Sequence, residues 1–156
     1  MQKGYSLGID VGSVSTNLVL VDDSGNLHYK LYLRTGGRPI EALIEGLGQL
    51  SENLLPGDRI TAVGTTGSGR RLAGAMVNAD VVKNEITAHA AAASAVAPDV
   101  KTIIEIGGQD SKIIFLQEGV PCDFAMNTVC AAGTGSFIDR QAARLGVPIE
   151  EFGDIA

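Results

Sequence analysis

Short apolar runs alternate with turn-forming residues along the whole chain, and their spacing predicts a series of strands and helices. Seven runs have the length and the aliphatic or β-branched content of buried strands. These runs cover residues 5–11, 16–22, 27–33, 59–65, 101–106, 111–117 and 120–126. The first three are separated only by short polar turns, which predicts that the chain opens with an antiparallel meander.

Helical spacing is clearest over residues 40–53, where apolar side chains recur every three or four positions. Pro39 suits the first turn of this helix, and Pro56 ends the pattern. Because a helix separates the third strand from the fourth, we expect the fourth strand to run parallel to the first. Further helices are predicted over residues 70–76, 84–97 and 133–145.

The strand–turn–strand pattern occurs twice, near residue 8 and again near residue 106. This repetition predicts two lobes. Residues 1–98 form the first lobe, and residues 99–156 form the start of the second. The second pattern ends after its first helix, so we expect the natural protein to continue beyond this chain.

The composition narrows the class of protein. Eighteen acidic and twelve basic residues give the 156-residue chain a net charge of −6, which argues against a general nucleic-acid or anionic-membrane surface. No apolar run approaches the ~20 residues that span a bilayer, and the N-terminus lacks a signal-peptide layout. Cys122 and Cys130 are too few for a disulfide framework. We therefore expect a cytoplasmic protein.

The turn after the first strand carries the first candidate chemistry. Asp10 ends an apolar strand, and the small and hydroxyl residues that follow would direct N–H groups and hydroxyls at phosphate oxygens. These residues are Gly12, Ser13, Val14, Ser15 and Thr16. Asp10 would then hold Mg²⁺, directly or through its waters. An ordinary tight hairpin with polar turn residues explains this segment equally well.

A second acid-tipped turn follows the strand over residues 101–106. Glu105 ends that strand and is followed by Gly107, Gly108, Gln109 and Asp110. Two such hairpins could clamp a triphosphate, with Glu105, Gln109 or Asp110 orienting the attacking water or holding metal. A Gly-rich turn in a sheet is the simpler alternative, but the paired layout favours phosphate binding.

Two other glycine-rich stretches leave alternatives open. Residues 64–70 resemble a phosphate loop without its Lys-Ser/Thr ending, so they form either an anion site or a flexible connection. Cys130 precedes a Gly-rich helix start, where the helix dipole would stabilise a thiolate or an anionic metal cluster. A small buried side chain is the alternative for Cys130 and the stronger interpretation for Cys122.

Taken in order, five motifs resemble the BadF/BadG/BcrA/BcrD activator family over nearly the whole chain. The motifs are GIDVGSVST (8–16), GTTGSGR (64–70), NEITAHA (84–90), IEIGGQDSK (104–112) and DFAMNTVCAAGTG (123–135). The resemblance implies an α/β, ribonuclease H-like fold of the actin/hexokinase/Hsp70 ATPase type, with a mixed sheet flanked by helices and a partial second lobe.

The resemblance also implies a function. Members of this family are homodimers that hold a four-iron four-sulfur cluster at the subunit interface. Binding and hydrolysis of ATP with Mg²⁺ drive an electron from the cluster into a 2-hydroxyacyl-CoA dehydratase or a benzoyl-CoA reductase, and ferredoxin or flavodoxin reloads the cluster. By this resemblance Asp10 and residues 12–16 form one phosphate segment, residues 105–110 form the other, and Cys130 is a cluster ligand.

Two features of the chain depart from the family pattern. Glu105 stands where the wider superfamily often has Asp, and no cysteine follows Cys130, although the family uses two per subunit. We therefore expect this chain alone to be inactive, to bind nucleotide weakly or not at all, and to carry no cluster. The rival functions are a sugar or N-acetylglucosamine kinase and a nucleotide-sensing scaffold without catalysis.

Overall fold

The computed structural model describes residues 3–129 and 133–155. The chain divides into two compact units, Met1–Ala88 and His89–Ala156. The boundary predicted from the sequence, between residues 98 and 99, stays a prediction. Within the described residues no helix is long and apolar enough to cross a membrane.

The first unit contains one mixed five-stranded sheet. Its strands are β1 (Gly4–Val11), β2 (Ser15–Val21), β3 (Leu27–Arg34), β4 (Arg59–Thr66) and β5 (Val81–Val82). They lie in the order β3-β2-β1-β4-β5. The first three strands pair antiparallel, and β4 runs parallel to β1, so both predictions about this sheet are confirmed.

Alternation along β1 decides which face of the sheet is buried. Every second residue of the strand is buried, with Ile9 and Val11 almost fully enclosed. Helices α1 (Pro39–Asn53) and α2 (Arg70–Val77) contribute Leu43 and Ala73 to the same apolar core. Because side chains alternate between faces, Asp10 lies on the face opposite to this core.

The turn between β2 and β3 is held by one carboxylate. Asp22 Oδ1 accepts hydrogen bonds from the backbone N–H groups of Ser24 and Asn26, each at 2.9 Å. His28 Nε2 lies 2.8 Å from Asp22 Oδ2. The contact with His28, and then those with Asn26, hold the pKa of Asp22 well below its usual range. Because β2 pairs antiparallel with β3, the short polar turn predicted between these strands is confirmed.

The boundary between the two units falls within helix α3 (Glu85–Val96). The sheet of the second unit is a three-stranded antiparallel meander. Its strands are β6 (Thr102–Ile106), β7 (Ser111–Gln117) and β8 (Val120–Met126). Glu118 and Gly119 adopt positive φ angles of 52° and 77° between β7 and β8, as expected for a two-residue hairpin turn. Helix α4 (Gly135–Leu145) and a 3₁₀ helix (Ile149–Ile155) follow.

The structure differs from the sequence-based expectation in three elements. Strand β5 has only two residues, too few to produce a detectable alternation. Helix α4 begins at Gly135 and not at Gly133, because Thr134 adopts an extended backbone at the N-cap. The 3₁₀ helix of residues 149–155 has no counterpart among the predicted elements.

Candidate functional site

The first hairpin turn is closed by one short backbone bond. The N–H of Gly12 donates to the carbonyl of Ser15 at 2.8 Å, and Val11 pairs with Thr16. Gly12, Val14 and Ser15 are half-buried and Ser13 is exposed. These four predicted phosphate-binding residues therefore form one tight turn at the carboxyl end of β1.

Thr35 supports this turn from outside the hairpin. Its hydroxyl donates to the carbonyl of Gly12 at 2.9 Å, and its backbone N–H donates to the carbonyl of Val14 at 2.9 Å. The Thr35 hydroxyl also lies 3.0 Å from that of Thr16, whose side chain is fully buried. The visible role of the Thr16 hydroxyl is to hold Thr35, and its contact with phosphate stays a prediction.

The loop of residues 67–69 packs directly against the end of β1. The N–H of Gly69 donates to the carbonyl of Val11 at 2.8 Å. Gly67 is buried with φ of 88°, and a Cβ there would collide with the Asp10 carboxylate and the Val11 carbonyl. The sequence left this loop open as an anion site or a flexible connection. In the structure it is a close-packed support for Asp10.

The surroundings of Asp10 supply oxygen donors that suit Mg²⁺. Asp10 lies across the ladder from Asn17, whose amide nitrogen is 3.5 Å from Asp10 Oδ2. On the other side it pairs with Thr66, whose buried hydroxyl oxygen has no hydrogen-bond partner among the residues that the structure describes. Mg²⁺ prefers carboxylate and hydroxyl oxygens together with several waters. A buried, unsatisfied hydroxyl next to a carboxylate therefore fits a hydrated Mg²⁺ ion.

The second hairpin turn repeats the closure of the first. The N–H of Gly107 donates to the carbonyl of Asp110 at 2.8 Å, and Ile106 pairs with Ser111. Gly107, Gly108 and Asp110 are half-buried, while Gln109 is exposed. Among the residues predicted to act in catalysis at this turn, Gln109 therefore has the side chain that is most open to solvent or a ligand.

The carboxylate of Glu105 is bound by a lysine of its own hairpin. It lies opposite Lys112, and the Lys112 Nζ donates to Glu105 Oε2 at 2.8 Å. Lys112 is buried, with 6% of its surface exposed. The other carboxylate oxygen of Glu105 would lie 2.7 Å from a Cβ placed on Gly107. A side chain at Gly107 would therefore displace the Glu105 carboxylate and would also lie 3.0 Å from the carbonyl oxygen of Asp110.

The cysteines contribute little to a metal site within the described residues. Cys130, the predicted cluster ligand, lies outside them. Cys122 is exposed on β8, so the interpretation of Cys122 as a buried side chain is wrong; its thiol lies 3.4 Å from the carbonyl of Phe115. Over residues 3–129 and 133–155, no three His, Cys, Asp or Glu side chains are grouped to hold a metal ion.

Sequence reasoning missed two residues of these hairpins. Lys112 could have been found, because a turn closed between Gly107 and Asp110 places Glu105 and Lys112 opposite each other. Thr35 gave no signal, since it follows β3 and lies nineteen residues from Thr16.

Comparison with known proteins gives a consistent answer. Residues 7–156 match the model of the BadF/BadG/BcrA/BcrD ATPase family. The (R)-2-hydroxyglutaryl-CoA dehydratase activating ATPase of Acidaminococcus fermentans is 33% identical over 157 residues, which cover 97% of this chain and 57% of that protein.

Two solved structures resemble the chain closely. One is the (R)-2-hydroxyglutaryl-CoA dehydratase component A of Acidaminococcus fermentans, with a TM-score of 0.80 and 33% identity over 94% of this chain and 56% of that one. The other is the activator of the 2-hydroxyisocaproyl-CoA dehydratase from Clostridium difficile with bound ADPNP, with a TM-score of 0.79 and 33% identity over 97% and 56%. The chain therefore spans a little over half the length of these relatives, and the predicted actin/hexokinase-type α/β fold is confirmed.

Proposed function

This chain belongs to the BadF/BadG/BcrA/BcrD ATPase family, and we propose that it supplies the phosphate-binding part of an ATP-dependent activator. The partner would be a 2-hydroxyacyl-CoA dehydratase or a benzoyl-CoA reductase, because relatives are named as activators of such dehydratases and as a benzoyl-CoA reductase subunit. One observation on this chain supports the proposal most directly: each of its two acid-tipped turns is closed by a 2.8 Å hydrogen bond that its first glycine donates.

Each turn has a separate part in this proposal. The turn of residues 12–15 and that of residues 107–110 bind phosphate oxygens through backbone N–H groups. Asp10, with the Thr66 hydroxyl beside it, would hold Mg²⁺, and this ion would offset the negative charge of the phosphates. The exposed amide of Gln109 orients the water that attacks the terminal phosphate. Glu105, which is tied to Lys112, keeps the second turn in place.

The electron-transfer part of the proposal depends on the family and on Cys130. A four-iron four-sulfur cluster at a homodimer interface, loaded by ferredoxin or flavodoxin, would be the electron source. Cys130 would supply one ligand of this cluster, and the intact protein would supply the others. A reducing cytoplasm is the compartment that such thiolates require.

Replacing one carboxylate tests this function. In the intact protein we expect Asp10→Asn to lower ATP hydrolysis about 100-fold or more, because the magnesium waters lose their anchor. Activation of the partner enzyme should fall in parallel, while the iron content stays at the wild-type level. The matched control is Asp23→Asn, which alters an exposed carboxylate in the turn between β2 and β3.

The same assay separates the alternatives. Wild-type-like hydrolysis by Asp10→Asn would contradict the assignment of Asp10. Transfer of phosphate from ATP to a hexose or to N-acetylglucosamine, in place of water, would instead support the kinase alternative. Binding of ATP without any turnover by the wild-type protein would support a nucleotide-sensing scaffold.

A further inference from the structure

Thr134 occupies the N-cap position of α4 but does not cap its own helix. A threonine at this position normally accepts a hydrogen bond from an N–H group in the first turn. Here the side chain makes no such bond. Its hydroxyl instead donates to the carbonyl of Gly108 at 2.9 Å, and the residue is fully buried. The hydroxyl of Thr134 is therefore committed to the turn of residues 107–110.

The first amides of α4 are committed to the same turn. Gly135 donates its N–H to the carbonyl of Gly107 at 2.9 Å, and Ser136 donates its N–H to the carbonyl of Gly108 at 3.0 Å. Such N–H groups have no partner inside their own helix. The start of α4 thus donates three hydrogen bonds to two successive carbonyls of the turn. These carbonyls give the first N–H groups of the helix the hydrogen-bond partners that they lack within the helix.

Gly135 makes this close approach possible. A Cβ at Gly135 would lie 3.2 Å from the carbonyl oxygen of Gly107 and 3.6 Å from the Cα of Gly108. The first of these distances is shorter than ordinary van der Waals contact. A larger residue would therefore push the turn away from the helix by a few tenths of an ångström.

The direction of these carbonyls fixes the direction of two amides. In a planar trans peptide the C=O and the next N–H point opposite ways, and the described residues contain no cis peptide. The N–H groups of Gly108 and Gln109 consequently point away from α4. Across residues 3–129 and 133–155, neither amide donates a hydrogen bond to the protein. Two adjacent amides turned outward are suitable donors for a phosphate oxygen.

We propose that Thr134 is a positioning residue for phosphate binding. Together with the first turn of α4 it holds the carbonyls of Gly107 and Gly108 back, so that the amides of Gly108 and Gln109 are presented to the nucleotide. This inference depends on the proposed function, since it assigns the phosphate contacts of the second turn. It adds that the orientation of these contacts is set by a residue outside the hairpin.

Binding of ADPNP with Mg²⁺ to the intact protein, measured by titration calorimetry, tests the inference. We expect Thr134→Val to raise the Kd about tenfold, equivalent to about 1.4 kcal/mol, because the turn loses its alignment while side-chain volume is kept. Thr134→Ser retains the hydroxyl and should bind within about twofold of wild type. Thr61→Val removes another hydroxyl-to-carbonyl bond, to Tyr5 at 3.1 Å, and should leave the Kd unchanged.

Two further readouts distinguish positioning from general stabilisation. In wild type, the amide protons of Gly108 and Gln109 should shift on addition of ADPNP, and these shifts should shrink in Thr134→Val. If Thr134→Val does not fold, Gly135→Ala displaces the turn with the hydroxyl intact and should also raise the Kd.

Each result has a definite meaning. Wild-type affinity in a folded Thr134→Val or Gly135→Ala variant would overturn the inference and leave the proposed function standing. Equal weakening by Thr134→Ser and Thr134→Val would also overturn it, because the hydroxyl would then be irrelevant. Failure of the wild-type protein to bind ADPNP would instead remove the proposed function on which the inference depends.

Discussion

The two hairpins of this protein share their closure but differ in the residue that faces the carboxylate. Each has an acid two residues before its first glycine, and each turn is closed by a 2.8 Å bond from that glycine. Across the ladder, Asp10 faces the neutral amide of Asn17, whereas Glu105 faces the ammonium group of Lys112. The acid of the first hairpin therefore has a neutral cross-strand neighbour, and the acid of the second has a cationic one.

This difference separates the tasks that the two turns can perform. A carboxylate is a ligand that suits Mg²⁺, and the first hairpin carries it beside a neutral amide. In the second hairpin the ammonium group of Lys112 offsets the charge of Glu105, which favours an anion near the turn. In the proposed function, turns of similar backbone geometry would therefore serve a cation in one hairpin and an anion in the other.

The supports of the two turns are also comparable. A buried threonine from outside the hairpin donates its hydroxyl to a turn carbonyl at 2.9 Å in each case, Thr35 to Gly12 and Thr134 to Gly108. The first turn is additionally backed by Gly67, which touches Asp10, while the second is backed by Gly135 at the start of α4. The first support is packed more tightly than the second.

The largest expected effect comes from breaking the tighter support. Gly67→Ala should lower the free energy of unfolding by about 3 kcal/mol, because it combines a positive φ with a collision against backbone and carboxylate. Gly25→Ala is the matched control, since Gly25 has φ of 80° but open space around it. Denaturant unfolding measures both variants. Equal losses for the two variants would show that contact with Asp10 contributes nothing.

A smaller effect should come from the charge difference. Lys112→Met should cost about 2 kcal/mol of unfolding free energy, because it leaves Glu105 without its partner in a site where the carboxylate is only 21% exposed. The double variant Lys112→Met/Glu105→Gln should recover part of this loss.

In the first hairpin, Asn17→Ala should cost about 0.5 kcal/mol of unfolding free energy. Lys30→Met, which changes an exposed lysine on β3, should cost almost nothing. A loss for Asn17→Ala as large as that for Lys112→Met would erase the contrast between the hairpins.

The smallest of the three effects concerns the threonine that supports the first turn. Thr35→Val should lower the free energy of unfolding by about 1.5 kcal/mol, because it removes the bond to Gly12 and leaves the buried Thr16 hydroxyl unpaired. Thr35→Ser keeps both bonds and should unfold close to wild type. If the two variants unfold at the same denaturant concentration, the hydroxyl does not support the turn.

The local sequence pattern predicts most of the fold, but it does not predict contacts between residues that lie far apart in the sequence. Alternation identified the strands of both meanders, and the crossover helix fixed the parallel pairing of β1 with β4, because these features depend on neighbours in sequence. The roles of Thr35 and Thr134 could not be predicted. A threonine after a strand or before a helix is ordinarily interpreted as a loop residue or a helix cap, and only the folded chain shows which carbonyl its hydroxyl reaches.

The central claim of the proposed function is that the backbone amides of each acid-tipped turn bind phosphate oxygens. A crystal structure of the intact protein with Mg²⁺ and ADPNP tests it most directly. We predict phosphate oxygens at about 2.7–3.2 Å from backbone amides of both residues 12–15 and residues 107–110, with the metal ion nearer to Asp10 than to Glu105. Phosphates bound away from either turn, or a metal ion held by Glu105 in place of Lys112, would contradict the account.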